Sequence, residues 1–209
     1  MEKSGRRDGA SWCTISLLSK LFGKTFDKNV LEKAKPKPTE RELILEVNLM
    51  EKLYEKSETG CCNRFDPAPW DEKELKWKNK LFVKDHVISF LHIPLNFGSV
   101  VVKNMEKIKA AGALGEQLML SDENSLFGSD VYIAVEKEVP DAKMEKITGT
   151  FLSKAYEGGY QNMENWVKDM EKYAKAKNKK IEKMYFFYTM CPSCAKAYGQ
   201  NYTVILAKV

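Results

Sequence analysis

Two stretches of this chain repeat one another in order, and that repetition limits the folds open to it. The first begins at Ser89-Phe90-Leu91-His92 and the second at Thr150-Phe151-Leu152-Ser153. Each leads through a short loop into an amphipathic segment that ends among lysines and small residues. Two short apolar stretches separated by a polar turn follow in each copy. They are Leu118-Met119-Leu120 and Val131 to Val135 in the first copy, Met184 to Tyr188 and Tyr202 to Leu206 in the second. A solenoid needs three or more stacked units to bury its core, so two copies point to one pseudo-symmetric domain of strand–helix–strand–strand modules. The expected fold class is α+β, an antiparallel sheet with two long helices on one side. Such a domain offers a groove between its halves where a ligand can lodge.

Periodicity places the helices. The spacing predicts one from Phe97 or Ser99 to Ala111, with Phe97, Val101, Met105 and Ile108 as its apolar stripe and Gly112 just past its end. The other is predicted from Asn162 to Lys177, where Met163, Trp166, Val167, Met170 and Tyr173 share one face and Glu164, Lys168, Glu171 and Lys175 the other. Mixed alternation predicts a strand from Trp77 to Ile88 and a second strand over Ser89 to Ile93. Ahead of them, Gly60 to Trp70 reads as an irregular segment anchored by Phe65 and Trp70, because Pro67 and Pro69 exclude regular helix.

Residues 1 to 49 read as an N-terminal extension or arm, and 50 to 209 as the domain. The arm carries the hinge Lys35-Pro36-Lys37-Pro38 and one helix signal. That helix opens at Thr39 with Glu42 completing a capping box, and Leu43, Val47, Met50 and Tyr54 form its stripe.

Composition narrows the partners. The 209 residues are 44% hydrophobic and 30% charged, the balance of a folded, water-soluble domain. A net charge of +5 comes from lysines interleaved with acids, and no arginine cluster adjoins an aromatic platform, so no nucleic-acid partner is expected. No apolar run reaches the ~18 residues of a membrane-spanning helix, so no membrane partner is expected either. Arg6-Arg7 precedes the apolar segment Trp12 to Phe22, but Lys20 interrupts it and no small-residue cleavage site follows. Together with five cysteines, an odd number, this favours a reducing, cytoplasmic location.

Cys191-Pro192-Ser193-Cys194 is the sharpest local motif. A redox pair would need a strand–helix frame that the duplication leaves no room for. Two readings stay open: reduced thiols in a hairpin loop, with no metal and no cofactor, or a zinc site completed by Cys61 and Cys62. The first is the expectation, since adjacent cysteines make a poor knuckle. About one zinc per purified chain, with unfolding on chelation, would replace it.

The acid–base candidates are Glu123 and His92. Glu123 follows an apolar strand, and a carboxylate at the mouth of an aromatic cleft can act as a general base toward water. With His86 and His92 the two histidines, and no Gly-x-Ser-x-Gly elbow, a serine hydrolase is disfavoured. Trp70, Phe97, Tyr156, Tyr160, Phe186 and Tyr188 are the candidate ligand-binding aromatics, weighed against plain core packing, which suits Phe97 and Trp166 on their helix stripes better.

Ala155-Tyr156-Glu157-Gly158-Gly159-Tyr160, then Trp166, then Met184 to Pro192, resembles the GyrI-like small-molecule-binding domain in order and spacing. That domain is the effector-binding module of some AraC-type and MerR-type regulators. More narrowly, Gly60-Cys61-Cys62, Phe65-Asp66-Pro67, Pro69-Trp70 and Leu120 to Glu123 resemble stand-alone members without a DNA-binding domain, some of them labelled hydrolases. The resemblance implies a protein that binds an aromatic or lipophilic small molecule between its repeats, in xenobiotic protection. Its alternatives are a hydrolase acting on a strained electrophilic natural product, or a module for a protein partner in the manner of the gyrase inhibitor. The family's usual acid two places before the strand tyrosine is replaced here by Phe186, before Tyr188.

Overall fold

Lys73–Phe90 forms one 18-residue strand, β1, where the sequence suggested two. The computed structural model describes residues 57–90, 93–125 and 127–209. The arm over 1–49, the helix opening at Thr39 and His92 lie outside the described residues. The chain divides into two units, Met1–Arg64 and Phe65–Val209. In the described part of the first, Arg64 makes a two-pronged ion pair with Glu58, and Ser57 Oγ donates to the carbonyl of Cys62.

In the second unit β1 is followed by β2 (Ile93–Pro94), α1 (Phe97–Ala110), β3 (Leu114–Ser125) and β4 (Gly128–Val135). Then come β5 (Met144–Glu157), α2 (Met163–Ala176), β6 (Lys183–Tyr188), α3 (Pro192–Tyr198) and β7 (Tyr202–Lys208). The two halves share the order strand–helix–strand–strand apart from the short β2 in the first and the short helix α3 between β6 and β7 in the second, and the fold is α+β with an antiparallel sheet. The sheet is not open, however. Six strands run β1-β4-β3-β6-β7-β5, and β5 pairs back onto β1, closing the sheet on itself.

Closure depends on the length of β1. Its first half pairs with β5, Phe82 and Val83 touch both neighbours, and the stretch to Ile88 continues on β4. The register with β5 shifts between Trp77 and Lys80, where Asn79 takes φ +53. Asparagine tolerates that left-handed backbone better than most residues, and its amide N–H finds Thr148 Oγ1 at 2.8 Å. A shift of this kind bends a strand enough to serve two partners.

A closed sheet has an inside and an outside, so the expectation of two helices on one side of an open sheet is corrected. Because strand side chains alternate, Phe82 points in and Val83 out. Phe82, Leu120, Phe151, Val204 and Leu206 fill the inside and are fully buried. Aromatic rings interlock there, Trp77 on Phe151 at 4.5 Å and Tyr132 edge-on to Tyr185 at 5.7 Å. The helices pack outside. Val100 of α1 packs with Val87 and Val131, and Ile108 with Val83 and Ile133. Trp166 and Met170 of α2 cover Leu152, Phe186 and Ile205.

Helix α1 is rotated from its predicted stripe. Its buried residues are Val100, Asn104 and Ile108, not Val101. Asn104 is 3% exposed, and its amide donates to Asp85 Oδ2 at 2.7 Å and to the Val100 carbonyl at 2.8 Å. Burying an amide is tolerable only with such partners. The expected end holds, since Gly112 at φ +58 follows the cap residue Ala111. The Cys191–Cys194 motif is corrected as well. It opens a short helix rather than a hairpin loop, with Cys191 extended, Pro192 in the first turn and Gly199 at φ +67 ending it. Among the described residues no helix is long and apolar enough to cross a membrane.

Ion pairs and hydrogen bonds tune three carboxylates. Lys154 lies 2.8 Å from Asp169 and holds it below the usual aspartate range. Burial works against Asp130 and Asp85, but Lys84 and His86 outweigh it at Asp130, as Asn104, the His86 amide and Lys103 do at Asp85. A carboxyl that ionises more easily when folded adds stability above its unfolded pKa and loses it as pH falls through the folded one. Stability should therefore be level near neutrality and drop below pH ~4, the unfolded aspartate value. Urea titrations from pH 7 to 2 check this. In Asp130→Asn the fall should be shallower.

Candidate functional site

The two halves of the fold meet along β3 and β6, through a short ladder that sets Leu120 opposite Phe187 and Ser121 opposite Phe186. Glu123 lies just beyond it, still on β3. Tyr188 at the far end of β6 donates its hydroxyl to Glu123 Oε1 at 2.6 Å. Tyr160 donates to the other oxygen, Oε2, at 3.4 Å, and Ser121 Oγ donates to Oε1 at 3.3 Å. The two tyrosine rings are 6.3 Å apart.

Local sequence explains why Tyr160 reaches across. Gly158 takes φ +134, and a Cβ there would stand 3.3 Å from the Trp166 ring. Its N–H and C=O are both held by Asn201, each at 2.8 Å. The turn aims the next residues, a single 3₁₀ turn over Tyr160–Asn162, toward β3. Burial pushes the Tyr188 phenol well above the ordinary tyrosine range, and the charge of Glu123 pushes it further. Tyr160 is raised for the same reasons. Both phenols therefore stay protonated and act as donors.

Beside this cluster opens a cleft of about 330 Å³ lined by Asp122, Glu123, Glu182, Lys183, Met184 and Phe186. Met184 and Phe186 supply apolar surface and the remainder supply charge. Asp122 is 4% exposed and pairs with Lys183 Nζ at 2.5 Å. That ammonium also lies 4.9 Å from the Tyr185 ring. Burial lowers the Lys183 pKa, but Asp122 and the neighbouring groups outweigh it and leave it raised. In Lys183→Met the buried carboxylate would lose its countercharge at a cost of about 1–3 kcal/mol. Urea unfolding should show this, and Asp122→Asn in the same chain should restore part of it.

Of the residues singled out in the sequence, Glu123, Tyr160, Phe186 and Tyr188 meet here. Tyr156 does not: it is buried, stacks on Trp166 at 5.5 Å and donates to Asp169 at 3.0 Å. Trp70 packs on Phe187 from the inner side of the sheet, its carbonyl accepting from Ser153 Oγ. Phe97 starts α1 beside Val87, Val100 and Val131. Sequence reasoning missed Asp122, Lys183 and Met184. Their signal was position, since the ends of β3 and β6 are where one copy meets the other.

A family model described as bacterial hydrolase matches residues 52–209, more than half of the chain. This chain belongs to that bacterial hydrolase family. No curated protein matches it. Among solved structures it is similar to one titled as a crystal structure of a hydrolase from Listeria innocua, at 9% identity and a TM-score of 0.46, covering 65% of this chain and 90% of that one. Every strand and helix of the second unit lies within the bacterial hydrolase match, as do Glu123, Tyr160 and Tyr188.

Proposed function

We propose that the chain is a GyrI-like hydrolase that opens an electrophilic, largely apolar small molecule by addition of water, as in xenobiotic protection. The observation that carries this is the Glu123 carboxylate, gripped by two protonated tyrosines at the edge of a cleft floored by Phe186 and Met184. Glu123 is the general base. It takes a proton from water as the water oxygen bonds to the electrophilic carbon.

Tyr160, 51% exposed, is the acid. It gives its proton to the leaving oxygen or carbon as the old bond breaks, then recovers one from Glu123 along their hydrogen bond. Tyr188 is a positioning residue, because its short bond fixes the carboxylate against β6. Water is consumed and the protein returns to its starting state. The family membership supports this reading over pure binding.

A panel of epoxides tests it. Turnover should fall about tenfold or more in Tyr160→Phe, with thermal stability nearly unchanged because that side chain is half exposed. Compounds that raise the melting temperature of the wild type yet are never consumed would instead make this a binding protein.

A further inference from the structure

We infer that the first half of the fold carries a second acid–base centre, built on His86 and Asp130 and serving a small anionic substrate. The two residues face one another across β1 and β4, with His86 Nδ1 2.9 Å from Asp130 Oδ1. Each is held from behind. Lys84 Nζ lies 2.9 Å from the other oxygen of Asp130. The amide of His86 donates to Asp85 Oδ1 at 2.8 Å, and Asp85 Oδ2 in turn takes the buried amide of Asn104 at 2.7 Å. This chain of contacts gives the asparagine on the buried face of α1 its partner. The ring is also given room: a Cβ on Gly128 would fall 2.5 Å from His86 Nε2.

Whenever the imidazole is neutral, a carboxylate on Nδ1 selects the tautomer with its proton there and its lone pair on Nε2, the arrangement a general base needs. His86 is exposed, its side chain 60% accessible, so Nε2 can meet a substrate. The pair borders a cavity of about 200 Å³ lined by four lysines and three aspartates, besides His86 and Asn104. The lysines alone leave that lining with an excess of positive charge, which favours a substrate bearing a carboxylate or phosphate. In the hydrolysis of an ester, water loses a proton to Nε2 as its oxygen bonds to the acyl carbon. The ester C–O bond then breaks, the alkoxide or phenolate departs, and the imidazolium returns its proton to solvent.

The probe is the mono-4-nitrophenyl ester of succinic acid, compared with neutral 4-nitrophenyl acetate. The wild type should hydrolyse the anionic ester faster, and His86→Gln should lower that rate at least tenfold, with Tyr156→Phe as a control outside both sites. Nitrogen-15 NMR supplies a reading that a merely structural pair would not give. With His86→Gln assigning the signal, neutral His86 should carry its proton on Nδ1, and Asp130→Asn should shift the population toward Nε2–H. An unchanged rate in His86→Gln, or a tautomer indifferent to Asp130→Asn, overturns the proposal. The Glu123 reading is judged on epoxides and falls or stands separately.

Discussion

Glu123→Gln should leave a folded protein that still takes up its ligand and has lost turnover by about a hundredfold to ten-thousandfold, the usual range for a general base. The amide keeps the size of the carboxylate and can still accept from Tyr188 and Ser121, so the junction between β3 and β6 stays in place. It cannot take a proton from water. Tyr188→Phe should behave differently. It keeps the base but loses the 2.6 Å bond that orients it, so kcat should fall with little change in KM. Steady-state kinetics on an epoxide that the wild type consumes separate the two variants. Equal losses in both would mean that Tyr188 takes part in proton transfer itself.

Phe151→Ala should be strongly destabilising. Phe151 is fully buried inside the closed sheet, on the strand that completes it, with Trp77 at 4.5 Å and Tyr185 at 6.3 Å. Removing a buried phenylalanine ring costs about 3–5 kcal/mol, because lost burial and an unfilled cavity add. That is a large share of the ~5–15 kcal/mol available to a domain. Urea unfolding followed by tryptophan fluorescence should show a midpoint far below the wild type. By contrast, Tyr156→Phe removes one hydroxyl bonded to a half-exposed aspartate, and should cost about 1 kcal/mol or less.

The difference between these residues shows what the sequence could and could not carry. Local signals were reliable where the physics is local. Gly112 ended its helix, Trp166 and Met170 buried the α2 stripe, and the apolar alternation of Met184 to Tyr188 and Tyr202 to Leu206 became β6 and β7. The closing contact was illegible, because the pairing of Lys73 with Ser153 or Val83 with Met144 joins segments far apart in sequence. An 18-residue strand shared between two partners leaves no composition signal except Asn79 at its bend.

The candidate site was half legible for the same reason. Tyrosines and a carboxylate drew attention as chemical types, so Glu123, Tyr160 and Tyr188 were named. Which tyrosine reached the carboxylate depended on strand register. Tyr156 and Tyr188 looked alike in sequence, yet one bonds Asp169 under α2 and the other bonds Glu123 at the β3–β6 junction. Asn104 shows the reverse case. It went unremarked in the sequence, and only the structure shows its buried amide bonded to Asp85, which in turn takes the backbone amide of His86.

The most direct test of the central claim is the fate of solvent oxygen. A limiting amount of epoxide is mixed with excess protein in water enriched in oxygen-18, and the diol is analysed by mass spectrometry after one turnover. General-base catalysis by Glu123 predicts one labelled oxygen in each diol with the wild type, and product formed more slowly by about a hundredfold or more with Glu123→Gln. A first-turnover diol in which neither oxygen is labelled, or a Glu123→Gln protein that forms product as fast as the wild type, would contradict it.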